Sequence, residues 1–237
     1  MNRDQDDTIP AARKPRAGAE AARYAVLRRL GPVLKHDMVV NLQAISMMAE
    51  VLNARIERAS PNPADFQANI AKLNRLARDA VASCLKVSTW IEPGEEEGVR
   101  LSDGVDECLA LLNGNFNFRG FTVSREVTDG EFQVWRIALR NLLVASLITL
   151  TDAASGPCEV RVKAEARNGF AEITVTVRPR EAPLDAMVFE PGYRCLDWSD
   201  VQALAAAESV ELVRAADQIT MRLPRAVATA PLQIAPV

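Results

Sequence analysis

The only histidine of the chain, His36, carries its clearest chemical signal. Asp37 follows it directly, and a carboxylate beside an imidazole can orient and polarise the ring for nucleophilic or acid–base work. The surrounding segment has the apolar periodicity of an amphipathic helix. Its apolar stripe consists of Leu34, Met38, Leu42, Ile45, Ala49, Leu52 and Ile56. His36 lies about 200° from Leu34 on a helical wheel, so we expect it to face solvent.

A helical hairpin is predicted around this histidine. A break at residues 60–65 separates the first helix from a second one, in which apolar residues recur in steps of three and four, as in a coiled coil. Those residues are Phe66, Ile70, Leu73, Ala77, Ala80, Cys84 and Val87. One hairpin with two wide apolar faces cannot cover its own core. We therefore expect a homodimer in which two hairpins form a four-helix bundle.

The pattern becomes mixed beyond an acidic linker. Residues 159–165 and 171–177 alternate as strands around an Asn168-Gly169 turn, and residues 134–150 read as a strongly apolar helix. The predicted fold class is α+β: an N-terminal antiparallel helical hairpin, then an α/β sandwich with helices on one face of a sheet. The predicted divisions are a flexible tail (1–20), the hairpin (21–92), a linker (93–98), the second domain (99–225) and a C-terminal tail (226–237).

Composition narrows the classes of protein. Apolar residues make up 49% of the chain and charged residues 25%, as in a globular protein. The net charge of −3 shows no overall excess of basic residues, so nucleic acid is not an expected partner. The four cysteines form no Cys-x-x-Cys pair, so neither a zinc site nor a disulfide framework is expected. No apolar run approaches the ~20 residues that span a bilayer. We expect a cytoplasmic protein with no membrane partner.

The segment at His36 resembles the H-box of two-component histidine kinases and histidine phosphotransferases, in which His-Glu/Asp is followed by a helical apolar repeat. The order of elements in the second domain resembles the Bergerat-type ATP-binding domain of those kinases. Residues 138–147 are similar to its N-box helix, and residues 189–194 to the Phe-Glu-Pro stretch near its ATP lid. The resemblance covers about residues 21–224 and implies two-component signalling.

The sequence differs from the kinases at three places in the ATP pocket that the resemblance implies. The resemblance implies an asparagine at position 145, but Ala145 has no oxygen for magnesium, which requires oxygen ligands. The adenine-binding Asp-x-Gly-x-Gly motif is absent after Val177, where residues 178–183 read Arg-Pro-Arg-Glu-Ala-Pro. The lid glycines are missing too, since Gly192 is the only glycine after Gly169. We therefore expect a degenerate ATP-binding domain, no kinase activity and no cofactor.

A retained hairpin with a degenerate pocket resembles the histidine phosphotransferases of the ChpT type. That resemblance implies that His36 and Asp37 move phosphate between the aspartates of receiver domains, with magnesium supplied by the receiver. Two alternatives stay open. One is a catalytically inert kinase-like regulator that docks on a kinase or response regulator. The other is a response-regulator phosphatase using Asp37 and Asn41, because some kinase relatives place a water-orienting amide five residues after the histidine.

An apolar strip beside His36 is the predicted docking surface for receiver domains. Val33, Val40 and Met47 fall within about 60° of His36 on the wheel. Exposed apolar strips with polar rims commonly mark partner sites. The predicted partner-binding residues are Arg29, Val33, Val40, Asn41, Gln43 and Met47. The alternative is that the strip belongs to the dimer core.

Overall fold

The computed structural model describes residues 13–57, 62–91, 97–128, 131–154, 156–180 and 194–227. By its contacts the chain divides into two units. Leu27–Gly94 forms one unit, and Met1–Val26 with Glu95–Val237 forms the other. No helix in these described ranges is long and apolar enough to cross a membrane.

The Leu27–Gly94 unit is a helical hairpin. Helix α1 spans Arg13–Ile56 and enters this unit at Leu27; helix α2 spans Pro63–Ile91. The Asn62 side chain caps α2 by accepting a hydrogen bond from the backbone N–H of Ala64, 3.1 Å away. Pro63 suits the first helical position because the N–H that it lacks has no partner inside the helix there.

The buried or half-buried residues of the hairpin follow a coiled-coil spacing on each helix. On α1 they include Leu34, Met38, Asn41, Ile45, Met48 and Leu52, and on α2 Phe66, Asn69, Leu73, Leu76, Ala80, Ser83, Val87 and Trp90. The seam on α2 is rotated from the predicted one, since Ile70 and Cys84 are exposed. On α1, Leu42 and Ile56 are exposed as well. A single hairpin therefore buries only part of the apolar residues that the sequence places on its faces.

Helix α1 begins at Arg13, inside the segment predicted as a tail, and residues 1–12 lie outside the described part. Pro15 is tolerated in the first turn, because backbone N–H groups in a first turn have no partner inside the helix. The alanines that follow favour a helix. Ala19, Ala22 and Val26 are almost fully buried within the unit that contains the sheet. In the same unit, the guanidinium of Arg23 pairs with Glu208 at 2.8 Å. Packing of this segment explains the earlier helix start.

The described residues of the second unit form two sheets and three helices in addition to the start of α1. Its elements are β1 (Gly98–Arg100), α3 (Leu101–Phe118), β2 (Thr122–Thr128), β3 (Gln133–Trp135), α4 (Arg136–Asp152), β4 (Cys158–Arg167), β5 (Phe170–Pro179), α5 (Trp198–Ala207), β6 (Glu211–Arg214) and β7 (Gln218–Pro224). The larger sheet has the order β2-β4-β5-β7-β6. Strand β2 runs parallel to β4 and the other pairs are antiparallel. The predicted α+β fold class is confirmed.

The sheet is apolar on one face only, and the helices cover that face. Buried and accessible residues alternate along β4 and β5, as their sequences predict. Helix α4 is buried over almost its whole length, which explains why its sequence is so apolar. The turn between the two strands is at Asn168-Gly169, as predicted, and Gly169 has a φ of +86°, which favours glycine.

Candidate functional site

The predicted chemical residues lie on one surface of the hairpin. His36 and Asp37 are exposed on α1, and Asn41 is half-buried one turn further along. With Val40 and with Ser83 of α2 they line an open depression of about 250 Å³. All five residues belong to the Leu27–Gly94 unit. The structure thus brings the proposed nucleophile, its neighbouring carboxylate and the predicted amide to one place.

Helix geometry and one hydrogen bond position these groups. Residues four apart lie on the same side of a helix, so His36 stands beside Val40, and Asp37 beside Asn41. The Nδ2 of Asn41 donates a hydrogen bond to the Oγ of Ser83, 2.9 Å away on α2. This bond satisfies two polar groups in a seam that is otherwise mostly apolar, where an unpaired polar group would be costly.

Ser83 was not among the residues predicted from the sequence. The sequence nevertheless contains a pattern that indicates its position. Ser83 lies three residues after Ala80 and four before Val87, which is the spacing of the α2 seam. Asn41 is the corresponding polar interruption of the α1 seam, between Met38 and Ile45. A polar residue in each of two seams predicts a cross-helix hydrogen bond, once the seams are drawn with the correct rotation.

The predicted docking residues differ in accessibility. Val40 is 46% exposed and Met47 63% exposed, so both apolar side chains are open to a partner in the single chain. Gln43 is exposed too, whereas Val33 and Arg29 are half-buried. Of the six predicted partner-binding residues, Val40 and Asn41 line the depression itself. The others could contact a partner only around its margin.

The charged groups that line the depression limit which ligands it can bind. Its lining contains one carboxylate, on Asp37, and one imidazole, on His36. No lysine or arginine of the described residues lines it. A free phosphate ion therefore meets neither of the two side chains, arginine and lysine, that phosphate-binding sites commonly use.

The structure describes two of the positions that the resemblance to the kinases assigns to an ATP pocket. Ala145 is fully buried on α4 and presents a methyl group in place of an oxygen ligand. Strand β5 ends in Arg178-Pro179, with no aspartate or glycine, and Arg180 donates to the Oγ1 of Thr122 at 3.3 Å. Residues 181–193, including most of the predicted Phe-Glu-Pro stretch, lie outside the described part. No group of three or more His, Cys, Asp or Glu residues suited to a metal occurs among the described residues.

Calorimetric titration with Mg-ATP is expected to show no binding at millimolar nucleotide. The reason is the missing oxygen at Ala145 and the missing aspartate after β5, two ligands that one substitution cannot restore together. Ala145→Asn alone should therefore leave the titration flat, which makes it a suitable control. A micromolar dissociation constant, or autophosphorylation from ATP, would contradict this prediction.

No protein-family model matches the sequence, and no curated protein matches it. Solved structures that are similar include the catalytic domain of the histidine kinase ThkA, with 12% identity over 56% of this chain and 98% of that one, and a TM-score of 0.41. A bacterial phosphotransferase is 18% identical over 85% of this chain and 95% of that one, with a TM-score of 0.39. ThkA in complex with the response regulator TrrA is 12% identical over 93% of this chain and 68% of that one, with a TM-score of 0.41. Because the sequence identities and TM-scores are this low, the activity has to be inferred from the residues of this chain.

Proposed function

We propose that this chain is a histidine phosphotransferase of a two-component phosphorelay, which moves phosphate between receiver-domain aspartates through His36. The observation that carries the proposal is the exposed His36–Asp37 pair in an open depression of the hairpin. The second unit supports it, because Ala145 and residues 178–183 lack the oxygen ligand and the aspartate that the resemblance implies for nucleotide binding. We therefore propose that the chain receives its phosphate from another protein.

The proposed reaction is an in-line displacement at phosphorus. A lone pair of the neutral His36 imidazole attacks the aspartyl phosphate of the first receiver, and an N–P bond forms. The P–O bond to the aspartate breaks and its electron pair stays on the carboxylate. During the reaction Asp37 is proposed to accept a hydrogen bond from the other ring nitrogen and so to hold the ring in position. The second transfer reverses these steps onto another aspartate. Such transfers depend mainly on positioning and electrostatics.

The receiver is proposed to dock over the depression, against Val40 and Met47. Val40 is exposed one turn from His36, and Met47 is exposed on the same side of α1 about 16 Å further along the helix. Gln43 lies between them and adds a polar rim. The receiver brings the acidic pocket and the magnesium ion of the reaction, so this chain needs no resident metal or cofactor. Its lack of a lysine or arginine in the lining, among the described residues, agrees with that division of roles.

A second copy of the chain is proposed to cover the other flank of the hairpin. We call this the dimer flank, and its exposed large apolar residues are Leu42, Ile56, Ile70, Val81 and Leu85. Leu42 lies about 120° from His36 on the helical wheel. A two-fold four-helix bundle would therefore bury the dimer flank and leave the depression open.

Response-regulator phosphatase is the second candidate function. Asn41 lines the same depression as His36 and Asp37, so its amide stands near the place where a hydrolytic water would attack. The hydrogen bond from its Nδ2 to Ser83 holds that amide in one orientation. As a phosphatase, the chain would release the receiver's phosphate directly as inorganic phosphate, without forming a phosphohistidine at His36.

Mixing the chain with a radiolabelled, phosphorylated receiver domain tests the proposal. We expect the label to leave the receiver, appear on this chain in an acid-labile form, and then move to a second receiver. Release of the label only as inorganic phosphate, with none on this chain, would favour the phosphatase. A receiver that binds but keeps its label would favour an inert regulator.

A further inference from the structure

The hydrogen bond between Asn41 and Ser83 has a direction that matters for chemistry. The Nδ2 of Asn41 is the donor, and the Oγ of Ser83 is the acceptor, at 2.9 Å. A serine hydroxyl has one proton and two lone pairs. The amide therefore occupies one lone pair of Ser83 and leaves the hydroxyl proton for another acceptor.

That proton has no acceptor within the described residues. Hydroxyls on helices often donate back to a carbonyl three or four residues earlier. Thr89 does so to the carbonyl of Lys86 at 2.8 Å, and Thr151 to that of Leu147 at 2.7 Å. Ser83 makes no such bond within the described part of the chain. Since Ser83 is half-buried and lines the depression, its hydroxyl can donate into that space.

A phosphoryl group on His36 would need such a donor. It carries negative charge, and the depression already contains the carboxylate of Asp37. With no lysine or arginine of the described residues in the lining, a neutral hydroxyl from α2 is a suitable partner for a phosphoryl oxygen. Hydrogen bonds to charged acceptors are roughly twice as strong as neutral ones.

We infer that Ser83 is a phosphoryl-binding residue, whose hydroxyl donates a hydrogen bond to the phosphoryl group carried by His36. Asn41 is its positioning residue, because its amide holds the Oγ in place and leaves the hydroxyl proton available to the depression. The inference rests on the proposed phosphotransfer function. It also assigns to Asn41 a role different from that of a water-orienting amide.

The test uses the full chain and phosphoramidate as a small phosphate donor, so that receiver docking plays no part. In this reaction the N–P bond to His36 forms, the N–P bond of the donor breaks, and the donor nitrogen leaves as ammonia after taking up a proton. The rate of phosphohistidine formation would be measured for the wild type, Ser83→Ala, Ser83→Thr and Asn41→Ala. Ser88→Ala is the matched control, because Ser88 is exposed about 140° further round the same helix.

Ser83→Ala is expected to slow phosphohistidine formation about tenfold, the effect of one charge-assisted hydrogen bond. Ser83→Thr keeps the hydroxyl and should recover most of the rate, and Ser88→Ala should equal the wild type. Asn41→Ala should lose part of the rate. The double variant should be no slower than Ser83→Ala, because Asn41 acts through Ser83. Unchanged melting temperatures would show that the variants remain folded.

Two results would overturn the inference alone. One is Ser83→Ala reacting at the wild-type rate. The other is Ser83→Thr being as slow as Ser83→Ala, because packing rather than the hydroxyl would then set the rate. A wild-type chain that accepts phosphate from neither phosphoramidate nor a receiver would overturn the proposed function, and the inference with it. The wild-type measurement thus separates the two failures.

Discussion

Replacing His36 with glutamine is expected to reduce phosphate transfer by more than about a thousandfold, since the loss of a nucleophile usually has at least that effect. The amide of glutamine has no basic lone pair with which to attack phosphorus. His36 is exposed, and substitutions at such sites usually change the free energy of unfolding by less than about 0.5 kcal/mol. Transfer from a phosphorylated receiver and the dissociation constant for that receiver would both be measured. Lost transfer with unchanged binding is the expected pair of results.

Lys35→Gln is the matched control for this variant. Lys35 is exposed next to His36 but does not line the depression, so transfer should persist. If His36→Gln still removes phosphate from the receiver, then His36 is not the carrier. Asn41→Ala would become the deciding variant, because loss of that residual activity would identify the phosphatase.

Leu42→Asp is expected to convert a homodimer into a monomer. Leu42 is 52% exposed in the single chain, so the substitution should leave the hairpin folded. In a two-fold bundle the same position is buried and occurs twice, and an unpaired buried charge typically costs several kcal/mol. The dimer dissociation constant should therefore rise by orders of magnitude. Sedimentation at micromolar concentration measures the change directly.

Val40→Asp provides the matched control, because Val40 is 46% exposed and receives the same charge. It should sediment as a dimer but bind the receiver more weakly, since the charge replaces an apolar contact beside His36. A Val40→Asp variant that dissociates while its transfer rate stays normal would place the apolar strip in the dimer core. A wild-type chain that is monomeric at micromolar concentration would contradict the proposed dimer.

The sequence predicts most of the second unit because its elements have strong periodicity. Buried and accessible residues alternate over the first eight residues of both β4 and β5, and α4 is apolar over four turns. Strands β1 and β3 were not predicted, since three residues are too few for alternation to be visible. Their pairing depends on contacts between segments about thirty-five residues apart, which a local pattern does not contain.

The candidate site was predicted in part, for a similar reason. His36, Asp37 and Asn41 lie within two turns of one helix, so spacing along the sequence already placed them together. Ser83 comes from the other helix, and its place in the site depends on how α1 and α2 are rotated about their axes. The predicted α2 seam runs through Cys84, whereas the observed seam runs through Ser83. Because the two seams differ by one residue, the sequence pattern does not predict Ser83 as the partner of Asn41.

Mapping the phosphorylated residue of the intact chain, after incubation with a phosphorylated receiver, shows whether His36 carries the phosphate. Digestion at neutral or alkaline pH followed by mass spectrometry would preserve a phosphohistidine. We expect one phosphate, on the peptide that contains His36, stable in base and lost in acid. A phosphate on any other residue, or a receiver that loses its phosphate while this chain gains none, would contradict it.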